Sequence, residues 1–312
     1  MRIAIIGSGA IGCLYGAYLS RKNEVYMICR RKEAADAIRR DGLTVHEPDG
    51  SAVRYAEAKA ILTGECPGSF DLTVIIVKSF DTENAISANL DLVRNSRMLM
   101  TLQNGGGNDA VLARYVPMER VIIGTTRHNS VNLGNGNIRH SGSGTTFIGS
   151  NVEDADLSEV AAALEEAGFE TVVSDDIQRI VWSKLFVNLS INSFTAITGT
   201  PIGAMVESEY AWSYAETLVR EAIDVAAAEG IRFSAGEVLE SIRKTCLEVA
   251  SGYSSMSQDV MNCRKTEVDR INGFVVERAK AHNIPAPYNA FVQNLIHVIE
   301  STYPYRKQKP AD

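Results

Sequence analysis

At 312 residues the chain is longer than one hydrophobic core usually supports, so two domains are expected. With 45% hydrophobic and 22% charged residues it is not a disordered chain. A formal net charge of −7 argues against nucleic acid or an anionic membrane as the main partner, and no apolar run reaches the length of a membrane span.

The first element is a β-branched strand, residues 2–6, followed at once by Gly7-Ser8-Gly9-Ala10-Ile11-Gly12. An apolar helical segment comes next, and then a second strand, Val25–Cys29. Strand, G-x-G-x-x-G, helix and strand within about 30 residues form a dinucleotide-binding unit. In such a unit Gly7 makes the tight turn, Gly9 lets backbone approach a pyrophosphate, and Gly12 lets the helix pack on the sheet. Ser8, Ala10 and Ile11 complete the loop, and the helix N-terminus offers its N–H groups and dipole to the phosphates. The second strand runs into Cys29-Arg30-Arg31-Lys32 with no carboxylate to accept from a ribose hydroxyl. A guanidinium there suits a 2′-phosphate, which favours NADPH (NADP+) over NADH, with Arg30 as the leading contact.

Leu72–Val77 is a continuous apolar strand of the buried parallel type, ending at Lys78-Ser79-Phe80-Asp81. The next strand, Met98–Leu102, ends at Gln103-Asn104-Gly105-Gly106-Gly107. Ligands bind at such strand ends in open α/β sheets, which makes Lys78 and Asn104 cofactor or substrate candidates, although Asn-Gly is also an ordinary turn signal. Residues 121–149 are β-rich with many glycines, and Asn135-Gly136 marks a hairpin. A helix over 157–168 and a short strand over 169–173 close this half.

From Ser174-Asp175-Asp176 onward the pattern is helical, with helices expected near 177–197, 206–229, 235–250, 256–263, 267–282 and 287–301. The expected organisation is an α/β Rossmann-type domain over 1–175, mostly parallel with added antiparallel strands, and an all-α domain over 176–312. In the first of these helices Lys184, Asn188 and Asn192 recur at four-residue intervals among apolar neighbours. Four helical residues advance about 400°, so each step drifts only about 40° and the three share one face. Burying an ammonium and two amides is costly without partners, so this face calls for an explanation. Ser255-x-x-Gln258 fits a capping box, and Glu267 stands in the first turn of another expected helix. Both have ordinary structural uses. The five cysteines and five histidines show no metal-ligand spacing, so no metal site and a reducing cytoplasmic location are expected.

Taken in order, G-S-G-A-I-G, V-K-S-F-D-T, L-Q-N-G-G-G-N, K-L-F-V-N-L-S-I-N-S-F-T-A, S-S-M-S-Q-D and T-E-V-D-R-I-N-G resemble the ketopantoate reductases (2-dehydropantoate 2-reductases) of the 6-phosphogluconate-dehydrogenase-like group. The resemblance covers nearly the whole chain. It implies reduction of 2-dehydropantoate to pantoate with NADPH, a step of pantothenate and coenzyme A biosynthesis. It assigns Lys184 as general acid, Glu267 as its partner at the substrate oxygen, and Asn188, Asn192 and Ser255 as binders of the keto acid. Asn104 would lie between nicotinamide and substrate, and Lys78 and Arg30 would belong to the cofactor site.

Two positions depart from that pattern. Where the family usually has Pro-Asn-Gly, this chain has Pro201-Ile202-Gly203, and Gly252 replaces a frequent asparagine. Both changes remove amides from the pantoyl end of the pocket, so a reductase of another small 2-keto acid is the alternative reading. A non-catalytic NADPH sensor is disfavoured by the presence of Lys184 and Glu267. The apolar C-terminal helices leave room for a homodimer interface.

Overall fold

The computed structural model describes residues 1–306. Its strands are β1 (Arg2–Ile6), β2 (Glu24–Cys29), β3 (Leu43–His46), β4 (Ala52–Tyr55), β5 (Lys59–Leu62), β6 (Phe70–Ile75), β7 (Ser96–Thr101), β8 (Val121–Thr126), β9 (Asn129–Gly134), β10 (Asn137–Gly142), β11 (Thr146–Gly149) and β12 (Thr171–Val173). The helices among them are α1 (Ala10–Leu19), α2 (Lys32–Asp41), α3 (Thr82–Ser87), α4 (Leu90–Arg94), α5 (Asn108–Leu112) and α6 (Ser158–Glu166). After them come α7 (Ile177–Val187), a π turn (Asn188–Asn192), α8 (Ser193–Thr198), α9 (Ala204–Glu207), α10 (Glu209–Ala228) and α11 (Ala235–Glu248). The last are α12 (Ser255–Met261), α13 (Asn272–Ala281), α14 (Pro287–Ser301) and α15 (Tyr303–Arg306). The chain separates into two compact units: residues 1–103 with 107–180, and residues 104–106 with Val181 onward.

The first unit is built on an eight-stranded sheet in the order β12-β11-β8-β7-β6-β1-β2-β5. Pairing is parallel from β5 to β8, antiparallel between β8 and β11, and parallel again between β11 and β12. The central strands are buried on both faces, as in β6, where Phe70, Leu72, Thr73, Val74 and Ile75 are all buried. The mostly parallel sheet with added antiparallel pairing is therefore the one expected.

A second, four-stranded sheet runs β4-β3-β10-β9. Its β9–β10 hairpin turns at Asn135 and Gly136, with φ of 50° and 80°, the left-handed pair that a two-residue hairpin requires. Strands β3, β4 and β5 had no clear sequence signal. They are four residues each, and β4 is exposed at three of its four positions.

Between the sheets, Tyr15 stacks on Phe169 at 4.0 Å between centroids and pairs its hydroxyl with Thr146 Oγ1 at 2.6 Å. Tyr18 donates to Glu47 Oε1 at 2.6 Å, and His140 Nδ1 lies 3.2 Å from Glu47 Oε2. His140 Nε2 in turn lies 3.1 Å from Nδ1 of His128. Helix α1 is thus tied by its buried face to both sheets.

Among the described residues, all regular structure after Ile177 is helical, as expected. The expected helix over 267–282 is shorter: a single 3-10 turn, Val268–Arg270, precedes α13, which starts only at Asn272. The expectation about membrane-span length is also corrected. The continuous helical run Ile177–Thr198, 22 residues, is long and apolar enough to cross a membrane. Its length comes from the fusion of α7, the π turn and α8. Trp182, Leu185, Phe186, Leu189, Ile191 and Ala196 lie in the core of the second unit.

Burial, and then neighbouring His140, push His128 down from 6.5 to about 4. Between those values the unfolded chain takes up a proton that the folded chain refuses. The stability contributed by neutral His128 is complete above pH 6.5 and declines as pH falls toward 4. Thermal melts from about pH 7 to about pH 4.5 should show a smaller drop in Tm for His128→Asn than for the parent protein. Parallel drops would show that His128 does not carry this dependence.

Candidate active site

The chain leaves β1 toward β2 and β5 on one side, then crosses back to β6 on the other. This reversal makes the crevice beyond β1 and β6 the place where a doubly wound sheet receives a ligand. Gly7 follows β1 with φ of +128°, and a Cβ there would lie 2.9 Å from the backbone of Ile76 and Val77. A Cβ at Gly12 would come within 1.8 Å of the Gly7 carbonyl oxygen. At Gly9 it would meet nothing within 4 Å. Two glycines are therefore fixed by packing, while the third faces open space. Gly9 is the N-cap of α1 and among the described residues no side chain caps that end, so its first-turn N–H groups can meet an outside acceptor. Ser8, Ala10 and Ile11 are half-buried around this cradle. These residues fit a dinucleotide pyrophosphate.

Arg30 stands just beyond β2 with its side chain 81% exposed, 3.1 Å from the Asp81 carboxylate. Asp81 closes the short turn Ser79–Asp81, whose leading residue is half-buried Lys78. Gln103, at the end of β7, donates from Nε2 to the Val77 carbonyl and to Thr82 Oγ1, both at 2.8 Å. It fixes the ends of β6 and β7 relative to each other, a role that L-Q-N did not disclose in sequence.

The second unit gathers the remaining candidates. Although Asn104–Gly106 lies mid-chain, it belongs with the helices. Gly106 N–H donates to the Arg270 carbonyl at 3.0 Å. A Cβ at Gly105 would stand 2.1 Å from that oxygen, and one at Gly106 would lie 2.3 Å from the Phe274 ring. Phe274 packs at 5.6 Å on Trp182, two residues before Lys184 on α7. Glu267, 7% exposed, lies three residues before Arg270 and accepts its N–H at the backbone. The Asn104 loop, the Glu267 turn and the Lys184 helix thus meet around Arg270, Phe274 and Trp182. Lys184 and Asn188 are half-buried, and Asn192 is 8% exposed.

Ser255 is the exposed first residue of α12, and the cap is its neighbour. Ser254 Oγ accepts from Ser257 N–H at 3.1 Å and pairs with Thr195 Oγ1 at 2.7 Å, fastening α12 to α8. The capping-box reading was therefore one residue out of register. Ile202 and Gly252, the two departures from the family pattern, adjoin. Ile202 N–H donates to the Gly252 carbonyl at 2.9 Å, and a Cβ at Gly252 would meet Ile202 Cδ1 at 3.8 Å.

The fold is that of a family of oxidoreductases that bind a nicotinamide cofactor. The chain belongs to the ketopantoate reductase PanE/ApbA family, whose model matches residues 3–153 and whose C-terminal model matches residues 176–300. A 2-dehydropantoate 2-reductase of Halobacterium salinarum is 38% identical over 96% of this chain and 99% of its own. Among solved structures, D-mandelate dehydrogenase with NADH and anilino(oxo)acetate superposes with a TM-score of 0.91 at 28% identity, covering 97% of this chain and 100% of that one. A PanE/ApbA family ketopantoate reductase from Ralstonia eutropha superposes with a TM-score of 0.88 at 30% identity, covering 97% and 100%.

Gly105→Ala, at φ of +85° and against the Arg270 carbonyl, should lower kcat/KM by at least about tenfold while the far-UV circular dichroism stays unchanged. Unaltered kcat/KM would show that the seating of this loop does not matter for turnover.

Proposed function

We propose that the protein reduces a 2-keto acid to the 2-hydroxy acid with NADPH, 2-dehydropantoate being the leading substrate. The observation that carries this reading is the gathering of Asn104, Lys184, Asn188, Asn192, Ser255 and Glu267 in one helical unit of a chain that the two family models match over residues 3–153 and 176–300. The cofactor's contribution is a hydride for the carbonyl carbon. Gly7, Gly9, Gly12 and the start of α1 hold its pyrophosphate, and Lys78 assists at the phosphates. Arg30, whose exposed guanidinium now pairs with Asp81, would hold the 2′-phosphate.

The Lys184 ammonium stabilises the charge that develops on the keto oxygen and then protonates it, with Glu267 orienting the ammonium. Asn188, Asn192 and Ser255 donate to the substrate carboxylate without adding a competing charge. Asn104 positions the reacting carbonyl, and this orientation removes much of the entropic barrier.

A second reading is favoured by one observation. Ile202, 8% exposed, adjoins Gly252, so an apolar side chain and a bare backbone stand where the family usually has two amides. A 2-keto acid with an apolar or aromatic side chain suits it, in keeping with the likeness to D-mandelate dehydrogenase.

A steady-state screen of 2-keto acids against NADPH and NADH tests both readings, and a chain that turns over none of them is not this reductase. Lys184→Ala should lower kcat by about 10²–10⁴ with cofactor binding retained; near-normal turnover would remove the general-acid role. Arg30→Ala should raise the KM for NADPH well above any change for NADH, and equal effects would mean that the 2′-phosphate is held elsewhere. Ile202→Asn should raise kcat/KM for 2-dehydropantoate relative to phenylglyoxylate; an unchanged ratio would separate this position from substrate choice.

A further inference from the structure

In an unbroken α-helix, the two four-residue steps from Lys184 to Asn192 would accumulate about 80° of drift. The second of those steps is instead the π turn Asn188–Asn192. A π turn closes its hydrogen bonds over i→i+5 and holds more residues than an α turn, so four residues in it fall short of a full circle. The shortfall opposes the drift and swings Asn192 back toward the row begun by Lys184 and Asn188.

Such a turn is rare and must be held. Part of the hold is local. The Ser190 hydroxyl donates to the Phe186 carbonyl at 2.8 Å, Thr195 donates to Ile191 at 2.9 Å, and Ser193 donates to Leu189. Back-bonding of this kind bends helices. Ser193 N–H itself is directed to the Ser190 carbonyl.

The rest comes from across the core. Asn272, the first residue of α13, is fully buried, and its Nδ2 donates to the Leu189 carbonyl at 3.2 Å and to Asn289 Oδ1 at 3.0 Å. Asn289 spends its own Nδ2 on the Leu218 carbonyl at 3.1 Å and on Glu221 Oε2 at 2.9 Å, so it can show Asn272 only an acceptor. With acceptors on both sides, the Asn272 amide has one workable orientation, and its Oδ1 is buried with no hydrogen-bond partner among the described residues. A buried acceptor left unmet is unfavourable and calls for a reason.

We propose that Asn272 is a positioning residue of the reductase site. By donating to the Leu189 carbonyl it stabilises the π turn, and the π turn sets Asn188 and Asn192 in register with Lys184. This rests on the assignment of Asn188 and Asn192 to the keto acid. Asn272 touches no substrate; it acts through the backbone of the turn.

Asn272→Leu keeps the bulk and burial of the side chain and removes both donors. The expected result is a KM for the 2-keto acid raised on the order of tenfold, about the value of one good hydrogen bond, with the Kd of NADPH unchanged. A crystal structure of the variant should show the turn reverted to α-helical hydrogen bonding. Persistence of the π turn, or a parental KM, overturns the proposal. Because a parental KM in Asn272→Leu beside an inactive Lys184→Ala leaves the reductase reading standing, the two failures are separable. Absence of any 2-keto acid reduction by the parent protein overturns both. If Asn272→Leu does not fold, Asn272→Ser, which retains a single short donor, is judged by the same KM, Kd and structure.

Discussion

The helix from Ile177 to Thr198 must satisfy two demands that conflict. It supplies Trp182, Leu185, Phe186 and Leu189 to an apolar core, yet it also carries an ammonium and two amides whose polar ends need partners. An uninterrupted α-helix would let the polar row spiral away into that core. The π turn reconciles the two by changing the residue count of a single ring, and the hydroxyls of Ser190, Ser193 and Thr195 take up the carbonyls that the altered ladder disturbs. Other parts of the second unit follow from it. Asn272 and Asn289 are placed to support Leu189, and the Thr195–Ser254 pair brings α12 alongside the end of the same helix.

The first unit obeys a different kind of constraint, one of close approach. Gly7 and Gly12 are glycines because backbone occupies the space where a Cβ would stand. Gly9 is the contrasting case, with nothing within 4 Å of a Cβ placed there, and that difference within one motif separates the two glycines fixed by packing from the one that faces open space. Electrostatics are local here. Arg30 is held by Asp81 on the surface, a pair that solvent screens and that adds little to stability.

The nucleotide-binding order was legible because its signals are dense and local: a β-branched strand, glycines at fixed spacing and an apolar helix within a short span. Lys184, Asn188 and Asn192 were legible as polar exceptions in an apolar run. The π turn was not, because its residues individually favour neither ring size and the deciding partner, Asn272, lies far along the chain. The same blindness to partners misassigned the α12 cap. In a Ser254-Ser255 doublet either residue can cap, and the choice was made by Thr195, which sequence cannot bring near. Strands β3 to β5 escaped notice because each is only four residues long, too short for a hydrophobic alternation to stand out.

One consequence concerns how the molecule is made. The Asn104–Gly106 segment is synthesised between β7 and α5, yet it belongs with the helices and is seated on the Arg270 carbonyl and the Phe274 ring. During translation the parallel sheet around it has all its strands long before α13 leaves the ribosome. This short loop must therefore stay unseated while its own sheet consolidates, a long-range contact that closes late. A fragment that stops before residue 270 could complete the sheet and still leave this loop without its dock, so the boundary between the units is not a place where the chain can be cut into two self-sufficient parts.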